Sequence, residues 1–418
     1  MIRFYNGKVL AMNGSFDVCD HEVWVEGAKI AYVGPAKAEM PAFEREIDLK
    51  GNLLMPGFKN AHTHSAMTFC RSLADDLPLQ PWLFDMIFPL EAKLSPERVY
   101  ELTRLAILEY LAGGVTGAFD MYFYRERGAQ AAIDSGFRYV LCSMSETAET
   151  MARECDKINS MSPLVSMLPS IHAEYTTSID TMKEVARFCH ERRLPFFTHI
   201  SETESEHLEC IGRHGMTPTE LFDSLGLFDY GGGGYHCVWL SDNDMEIFKK
   251  RGLWAVTNPA SNAKLASGIA PLVKFAEKGM NLAIGTDGPS SNNGLDMFRE
   301  MYLACVLQKL SLRDAAAMDA LKVLEMACSG SARAMGLNDC DCIAEGKQAD
   351  MIVIDLARPS MQPLINIPKN LVYSGSKDCV KLTMIAGKVL YEDGKFFIGE
   401  EPESIYEKCQ RIFAEMTA

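Results

Sequence analysis

The sequence predicts an α/β protein in which a (β/α)8 TIM barrel is joined to a small β-sandwich domain built from both chain ends. Eight apolar runs alternate with long helical patterns between roughly residues 55 and 310, and eight such units fit the usual size of this barrel. Before and after that region, short strand-like runs are separated by glycine and polar residues. A length of 418 residues is sufficient for one large domain and one small domain.

The two ends of the chain predict the strands of the small domain. Near the start, the runs KVLAM, EVWVEG, KIAYVG and REIDLKG are short, apolar and interrupted. Near the end, DMIVIDL and VKLTMIAGKVLYEDGKF repeat this pattern. We therefore expect residues 1–56 and 343–418 to combine into one β domain, and residues 57–342 to form the barrel.

The barrel strands are predicted where apolar runs precede polar residues. In chain order they are LLMPGFKNAHTH, GVTGAFDMY, FRYVLCSM, LVSMLPSIHA, LPFFTHIS, GGYHCVWL, LWAVTNPAS and NLAIGTDG. Several helical patterns between them open on serine, which caps helix N-termini, as in SPERVYELTRL, SIDTMKEVARF and SDNDMEIFKK. The glycines at 231–234 predict a turn before the sixth strand, and residues 311–336 predict one helix that closes the barrel domain.

Composition and charge exclude some classes of partner. A net charge of −15 and a pI of about 5.1 disfavour binding to nucleic acid, which needs clustered basic residues. The sequence contains no apolar run of about 18 residues, so we expect no membrane span. The start shows no signal peptide, and the 13 scattered cysteines have no disulfide framework spacing, so we expect reduced thiols and a cytoplasmic protein.

The ends of the predicted strands carry a candidate metal site. In this barrel the carboxyl ends of the strands build the active site, and His62 and His64 end the first strand two positions apart, facing the same side. His199 ends the fifth strand and Asp287 the eighth. Two buried imidazoles without a metal would each need hydrogen-bond partners. Three imidazoles and one carboxylate suit one divalent ion, with Zn²⁺ favoured and Fe²⁺ and Mn²⁺ as alternatives.

Glu202 is the candidate proton carrier, because it lies three residues beyond His199 and can reach the same site. A metal lowers the pKa of bound water from about 15.7 towards about 7, and a carboxyl group beside it can then transfer protons. The alternative is that Glu202 caps the helix that follows. His236 in the sixth strand and His172 at the end of the fourth are compatible with either a site role or a structural role.

Several longer motifs resemble one known family. PGFKNAHTHS, HISETESEH, YHCVWLSDND, NPASNAKLASGIAPL and GTDGPSSNNGLDMF are similar to the amidohydrolase superfamily, and most similar to its 5'-methylthioadenosine/S-adenosylhomocysteine deaminase branch. The HxH pattern alone identifies only the superfamily, whereas the last two motifs are specific to the branch. The resemblance covers nearly the whole chain.

The resemblance implies roles for the candidate residues. The metal would be held by His62, His64, His199 and Asp287. His236 would contact the attacking water together with Asp287, and Glu202 would move protons to the ring nitrogen and the leaving ammonia. The end of the fourth strand has no lysine, and this favours one metal rather than two.

The resemblance also implies substrate contacts. Glu91 would bind ribose hydroxyls, and Trp82 and His172 would contact the substrate. Relatives that act on S-adenosylhomocysteine carry an arginine soon after the third strand, whereas this sequence has Cys142 and Ser143 there. Arg153 lies further along, and whether it replaces that arginine is left open. An amino-acid carboxylate needs a charged partner, so this substrate is disfavoured.

The sequence therefore predicts a metal-dependent hydrolytic deaminase of an adenine nucleoside such as 5'-methylthioadenosine, 5'-deoxyadenosine or adenosine. Water activated by the metal would attack C6, and ammonia would leave. One alternative keeps the mononuclear site but takes a guanine-type, pterin or s-triazine substrate. Another is a metal-binding scaffold without activity, although an intact Glu202 argues against it. The resemblance further suggests a homodimer or a higher homo-oligomer.

Overall fold

The first 56 residues form short strands, as the sequence predicts. The computed structural model describes residues 1–77 and 79–417. The strands before residue 57 are β1 (Ile2–Tyr5), β2 (Lys8–Leu10), β3 (Val18–Cys19), β4 (Glu22–Glu26), β5 (Lys29–Gly34), β6 (Arg45–Asp48) and β7 (Leu53–Pro56). Strands β5, β4, β1 and β6 pair in that order as a four-stranded sheet.

Eight parallel strands follow, one in each predicted run. They are β8 (Phe58–Thr63), β9 (Val115–Asp120), β10 (Tyr139–Ser143), β11 (Val165–Pro169), β12 (Phe196–Ile200), β13 (Gly232–His236), β14 (Trp254–Thr257) and β15 (Asn281–Ile284). Strands β8 to β11 pair as one parallel sheet, and β12 to β15 pair as a second. A parallel bridge between Ser170 and Phe197 connects the two sheets.

The first predicted run contains two strands rather than one. Strand β7 pairs with the small-domain strand β2, and β8 pairs with β9 of the parallel region. Gly57 lies between them, where an added Cβ would overlap the side chain of Thr116. The chain therefore passes from one sheet to the other at a position that only glycine fits.

The glycines before the sixth strand correct another prediction. They do not form a turn, because Gly232, Gly233 and Gly234 are the first residues of β13. An added Cβ at Gly232 would overlap the carbonyl oxygen of Phe196, and one at Gly233 would overlap that of Trp254. Backbone crowding from both neighbouring strands explains why glycine occupies a strand, where it is usually unfavourable.

Helices follow most of the parallel strands. They are α1 (Leu79–Pro81), α2 (Phe88–Glu91), α3 (Pro96–Ala112), α4 (Arg125–Ser135), α5 (Ala148–Met161), α6 (Ile179–Arg192), α7 (Glu204–His214), α8 (Pro218–Ser224), α9 (Asp242–Arg251), α10 (Pro259–Lys264), α11 (Leu272–Glu277), α12 (Met297–Leu312), α13 (Ala320–Glu325) and α14 (Ser331–Ala334). The predicted serine caps are confirmed, since Ser95, Ser178 and Ser241 each accept a hydrogen bond from a first-turn amide. A π-helical segment, Trp82–Ile87, joins α1 to α2.

The predicted closing helix over residues 311–336 is interrupted. Its first two residues end α12, and a loop separates them from α13. Within that loop the carboxylate of Asp314 accepts a hydrogen bond from the Ala316 amide, and Asp319 caps α13 through the Leu321 amide. Aspartates favour such local bonds over a continuous helix, which explains the break.

The C-terminal segment adds strands to a sheet that also contains strands from the first 56 residues. Its elements are β16 (Met351–Ile354), α15 (Ile367–Tyr373), β17 (Val380–Ile385), β18 (Lys388–Glu392), β19 (Lys395–Phe396) and α16 (Pro402–Thr417). A seven-stranded sheet runs in the order β19, β18, β17, β16, β7, β2, β3, so both chain ends contribute to it. Helix α16 instead lies against α3, where Lys408 pairs with Glu101 at 3.1 Å.

Two further predictions concern membrane-spanning segments and the state of the cysteines. Among the described residues, no helix has both the length and the apolar composition needed to cross a membrane. All thirteen cysteines are free.

Candidate active site

The predicted site residues meet at one cavity beyond the carboxyl ends of the parallel strands. This cavity has a volume of about 220 Å³. Eight of the nine predicted site residues line it: His64, Trp82, Glu91, His172, His199, Glu202, His236 and Asp287. The ninth, His62, has no exposed surface and packs against this group, with its ring 4.8 Å from that of His199.

Four of these residues form a buried cluster with the geometry of a cation site. One ligand atom from each of His62, His199, His236 and Asp287 lies within 4.8 Å of the others. His64 is also adjacent, with Nε2 3.2 Å from the Oδ1 atom of Asp287. The predicted ligand set contains His64 where this cluster contains His236. All five groups converge, and their division into ligands and a water contact stays a prediction.

The orientation of three imidazoles is fixed by contacts at Nδ1. Each Nδ1 donates to an oxygen acceptor: His64 to Met121 O at 2.5 Å, His199 to His172 O at 2.7 Å, and His236 to Asn262 Oδ1 at 2.7 Å. Because Nδ1 carries the hydrogen, Nε2 keeps its lone pair. Metal-binding histidines are commonly held in this way by a second hydrogen bond.

His62 provides the test of whether a cation fits. Both of its ring nitrogens are buried and have no hydrogen-bond partner, and the ring stacks on Tyr235 with centroids 3.8 Å apart. Burial lowers the pKa of His62 to about 3, so the imidazole is neutral. An unpartnered buried polar group costs about 1–3 kcal/mol, and a bound cation would remove that cost. These residues therefore fit one divalent metal ion.

Asp287 supplies the negative charge of the site. Burial raises its pKa, but contacts with His62 and His64 outweigh this and hold the pKa well below its usual range. Asp287 and His236 both have left-handed backbone conformations, with φ of 59° and 69°. Such conformations cost about 1–3 kcal/mol in residues other than glycine and concentrate at functional sites.

Glu202 faces the cavity and does not cap the following helix. The cap of α7 is Thr203, whose hydroxyl accepts from the Glu206 amide at 3.2 Å. The Glu206 carboxylate accepts from the amides of Ser201 at 3.0 Å and Glu202 at 2.8 Å. The capping alternative for Glu202 is therefore wrong, since Thr203 and Glu206 satisfy the helix start.

The surroundings of Glu202 suit a group that gains and loses a proton. Its side chain is buried, with Oε1 3.2 Å from the Ser267 hydroxyl and 3.8 Å from Nδ1 of His236. Burial raises the pKa of Glu202 above its ordinary value, although His236 opposes the shift. A raised carboxyl pKa brings proton transfer closer to neutral pH.

The predicted substrate contacts line the same cavity, and the ring of His172 lies 4.7 Å from that of His199. Trp82 and Glu91 come from the helical segment that contains the π-helical turn, whereas His172 follows β11 by three residues. Burial raises the pKa of Glu91 to about 7, and Tyr122 and His64 oppose the shift. The Trp82 indole nitrogen and the Tyr122 hydroxyl are buried without a hydrogen-bond partner. Both are available to a polar ligand that enters the cavity.

The rest of the lining is mostly apolar, with Tyr175 and Thr176 among its polar members. Among the described lining residues, none is a lysine or an arginine. Arg153 is exposed on α5 and does not line the cavity. The apolar contribution comes from residues that include Met67, Leu83, Phe88, Met144 and Leu265. Arg153 therefore supplies no charge to the lining of this cavity.

The chain is similar in sequence to known proteins. The sequence pattern of the amidohydrolase family matches residues 53–390. The chain belongs to the amidohydrolase family. This amidohydrolase is 37% identical over 408 residues to a 5'-deoxyadenosine deaminase of Methanothermobacter thermautotrophicus, with 94% of each chain covered. It is 38% identical over 407 residues to a 5-methylthioadenosine/S-adenosylhomocysteine deaminase of Thermococcus onnurineus, with 95% of each covered.

A solved structure also resembles this amidohydrolase along its whole length. The crystal structure of an adenosine deaminase from Xanthomonas campestris with bound zinc has a TM-score of 0.94 and 32% sequence identity. The match covers 100% of this chain and 98% of the other. The α/β fold of the amidohydrolase is therefore shared with a zinc-binding protein.

Several residues that hold the site of this amidohydrolase were not assigned from sequence. They are Asp120, Glu206, Ser261, Asn262, Ser267, Ser291 and Tyr122. No site residue was predicted after the seventh strand, although Ser261 and Asn262 follow β14 by four and five residues, on α10. Polar residues shortly after a parallel strand were the signal that could have identified these two.

Proposed function

We propose that this amidohydrolase is a hydrolytic deaminase of an adenine-type nucleoside that uses one divalent metal ion. The observation that carries the proposal is the buried cluster of imidazoles and Asp287 beside Glu202, in one cavity that Glu91 also lines. Deaminase relatives at 37–38% identity over almost the full chain support it.

The finer description of the fold belongs to the same proposal. The two parallel sheets would close as one (β/α)8 barrel, since the Asp287 amide after β15 donates to His62 O on β8 at 3.0 Å. The other two sheets would form a β-sandwich, because residues such as Phe4, Val23, Leu54 and Met384 share one apolar core. Domain limits at residues 56 and 342 stay predictions, as do a homodimer and a cytoplasmic location.

His62, His64, His199 and Asp287 would hold the metal, and zinc is the favoured ion because the similar adenosine deaminase contains it. When bound, a divalent ion lowers the pKa of a water molecule towards 7 and so supplies a nucleophile at neutral pH. Burial lowers the pKa of His62 and of His199, so both present neutral nitrogens to it, and Asp287 offsets part of its charge.

The chain's own side chains would direct the proton transfers. His236 and Asp287 lie where they can orient the water that attacks C6 of the purine. Glu202 would pass one proton of the attacking water to N1 of the ring and the other to the departing amino group, so that ammonia leaves and the C6 oxygen remains as a carbonyl. Burial of Glu202 supports this role, because the raised pKa keeps more of the carboxyl protonated near neutral pH.

The cavity favours a nucleoside with a small or apolar 5' substituent. An amino-acid carboxylate would enter a cavity whose described lining contains no lysine or arginine, and burying an unpaired charge is costly. We therefore propose 5'-deoxyadenosine, 5'-methylthioadenosine or adenosine as substrates ahead of S-adenosylhomocysteine.

An ammonia-release assay with a substrate panel tests the proposed function. The panel contains adenosine, 5'-deoxyadenosine, 5'-methylthioadenosine, S-adenosylhomocysteine, adenine, guanine, a pterin and an s-triazine, with metal content measured on the same sample. The expected result is fastest release from one of the first three. Release only from guanine, the pterin or the triazine would favour the alternative ring substrates, and silence of the metal-loaded protein would favour a scaffold.

Replacing Glu91 by alanine is expected to slow the turnover of nucleosides that carry ribose hydroxyls. Glu91 lines the cavity, and a carboxylate there can accept hydrogen bonds from both ribose hydroxyls. Loss of one hydrogen bond to a charged group costs about 1.5–3 kcal/mol, which is about 10- to 100-fold in kcat/KM. The 2',3'-dideoxy form of the best nucleoside is the control, because its slower turnover should not fall further in Glu91→Ala. An equal loss for both substrates would contradict ribose recognition.

The KM for the nucleoside is expected to depend on pH through Glu91. Burial raises the pKa of Glu91 to about 7, so the group is protonated below that pH and charged above it. The charged form is the stronger hydrogen-bond acceptor, so KM should rise as pH falls from about 8 to about 6. In Glu91→Gln, KM should be higher and nearly constant over this range. A wild-type pH dependence in Glu91→Gln would show that another group is responsible.

A further inference from the structure

The two oxygens of the Asp287 carboxylate have different surroundings. Its Oδ2 atom accepts hydrogen bonds from the hydroxyls of Ser261 at 2.6 Å and Ser291 at 2.7 Å, and both serines are buried. Its Oδ1 atom instead lies 3.5 Å from His62 Nε2 and 3.2 Å from His64 Nε2. Two donors occupy Oδ2, so Oδ1 is the oxygen left for a cation.

The backbone of Asp287 is held as firmly as its side chain. The left-handed φ of 59° is maintained by its amide, which donates to His62 O at 3.0 Å. Its carbonyl oxygen accepts from the hydroxyls of Thr63 at 3.1 Å and Thr286 at 3.0 Å. The Asn292 side-chain amide donates to Thr286 O at 2.6 Å, which ties the following loop back to this residue.

One buried carboxylate connects the two serine segments. Glu300 lies on α12 and has no exposed surface. Its Oε2 atom accepts from the amide of Ala260 at 2.9 Å, next to Ser261. Its Oε1 atom accepts from the side chain of Asn292 at 2.7 Å, next to Ser291. Glu300 does not line the cavity, so it cannot contact the substrate there.

We propose that Glu300 is a positioning residue for the metal site and acts through Ser261 and Ser291. It fixes the segments that carry both serines, and the serines rotate Asp287 so that a single oxygen faces the imidazoles. The inference rests on the single-metal site of the proposed function. The competing explanation is that Glu300 only stabilises the fold, by accepting hydrogen bonds at the N-terminus of α10 and in the loop after β15.

The two explanations differ in what Glu300→Gln changes. A glutamine has the same shape, but its amide group faces one of the two donors, so one of the two hydrogen bonds is lost. If Glu300 positions Asp287, the folded variant should bind metal more weakly. Loss of an outer hydrogen-bond partner typically lowers metal affinity or activity by 10- to 100-fold. If Glu300 is only structural, the melting temperature should fall while the affinity of the folded protein is unchanged.

The experiment measures zinc affinity of the metal-free folded protein by competition with a chromogenic chelator, together with its melting temperature, kcat and KM. The variants are Glu300→Gln, Ser261→Ala with Ser291→Ala, and all three combined. Thr383→Val is the matched control, because Thr383 lies on β17 and its buried hydroxyl donates to Leu111 O of helix α3.

The expected result is a loss of zinc affinity of about 10- to 100-fold in the double serine variant and a smaller loss in Glu300→Gln. The value of kcat should fall with KM nearly unchanged, and Glu300→Gln should add little to the double serine variant. The control should change only the melting temperature.

Two results would overturn the inference. One is wild-type zinc affinity in Glu300→Gln, whatever the double serine variant shows. The other is an equal effect of Glu300→Gln with and without the serines, which would exclude action through them. If Glu300→Gln does not fold, Asn292→Ala removes one of the same two hydrogen bonds and is judged by the same outcomes. Failure of the wild-type protein to bind zinc would instead contradict the proposed function itself.

Discussion

Replacing Glu202 by glutamine is expected to abolish most turnover while leaving the metal site loaded. Glutamine keeps the shape of the side chain but cannot donate and recover a proton as a carboxyl group does. General acid–base catalysis contributes about 10²- to 10⁴-fold, so kcat for ammonia release should fall by that factor. Burial and the contact with Ser267 place Glu202 in the cavity, and none of the proposed metal ligands depends on it.

Glu204→Gln is the matched control for this prediction. Glu204 is exposed in the first turn of α7, two residues beyond Glu202, and does not line the cavity. Its replacement should leave kcat close to the wild-type value. Metal content is measured on each sample by elemental analysis. A Glu202→Gln protein with full metal content and wild-type kcat would show that another group carries the protons.

Replacing His199 by alanine is expected to remove both the metal and the activity. His199 belongs to the buried cluster, and its Nδ1 bond to His172 O leaves Nε2 for the cation. A bound metal contributes several kcal/mol to the transition state, and each 1.36 kcal/mol is tenfold, so the loss should be about 10³-fold or more. The variant should also lose the rise in melting temperature that metal gives the wild-type protein, because a ligand stabilises only a state that binds it.

His190→Ala controls for the loss of an imidazole as such. His190 is half-exposed on α6 and pairs with Asp229, away from the cavity. It should retain metal, activity and metal-dependent stabilisation. One equivalent of tightly bound metal in His199→Ala would mean that the ligand set has been assigned incorrectly.

Local patterns in the sequence predicted the strands, most caps and the positions of the chemical groups. The period of two in a strand placed His62 and His64 on one side, and the strand-end rule collected His199 and Asp287 from distant positions. His62, His199 and Asp287 converge in one buried cluster, and His64 lies beside Asp287, as the strand-end rule predicts.

What the sequence could not provide was set by neighbouring segments. The glycines of β13 are required by the carbonyl groups of Phe196 and Trp254, which only the paired strands bring close. Glu206 rather than Glu202 satisfies the start of α7, although both are glutamates in one short motif. The different roles of these two glutamates depend on which side chain the backbone turns inward, and a one-dimensional sequence pattern does not contain that information.

The contacts of Asp287 show the same limit. Ser261 and Ser291 lie 30 residues apart in sequence and meet on one carboxylate oxygen. Each serine alone is an unremarkable small polar residue. Only the closeness of α10 to the loop after β15 reveals that both hydroxyls address the same atom.

Stoichiometric titration of the metal-free protein with zinc, followed by ammonia release from the best nucleoside, tests the mononuclear deaminase most directly. Activity should be absent at first, rise in proportion to added zinc, and reach its plateau at one equivalent per chain. Full activity in protein shown to be free of metal, or a plateau only at two equivalents, would contradict a single catalytic cation held by these histidines and Asp287.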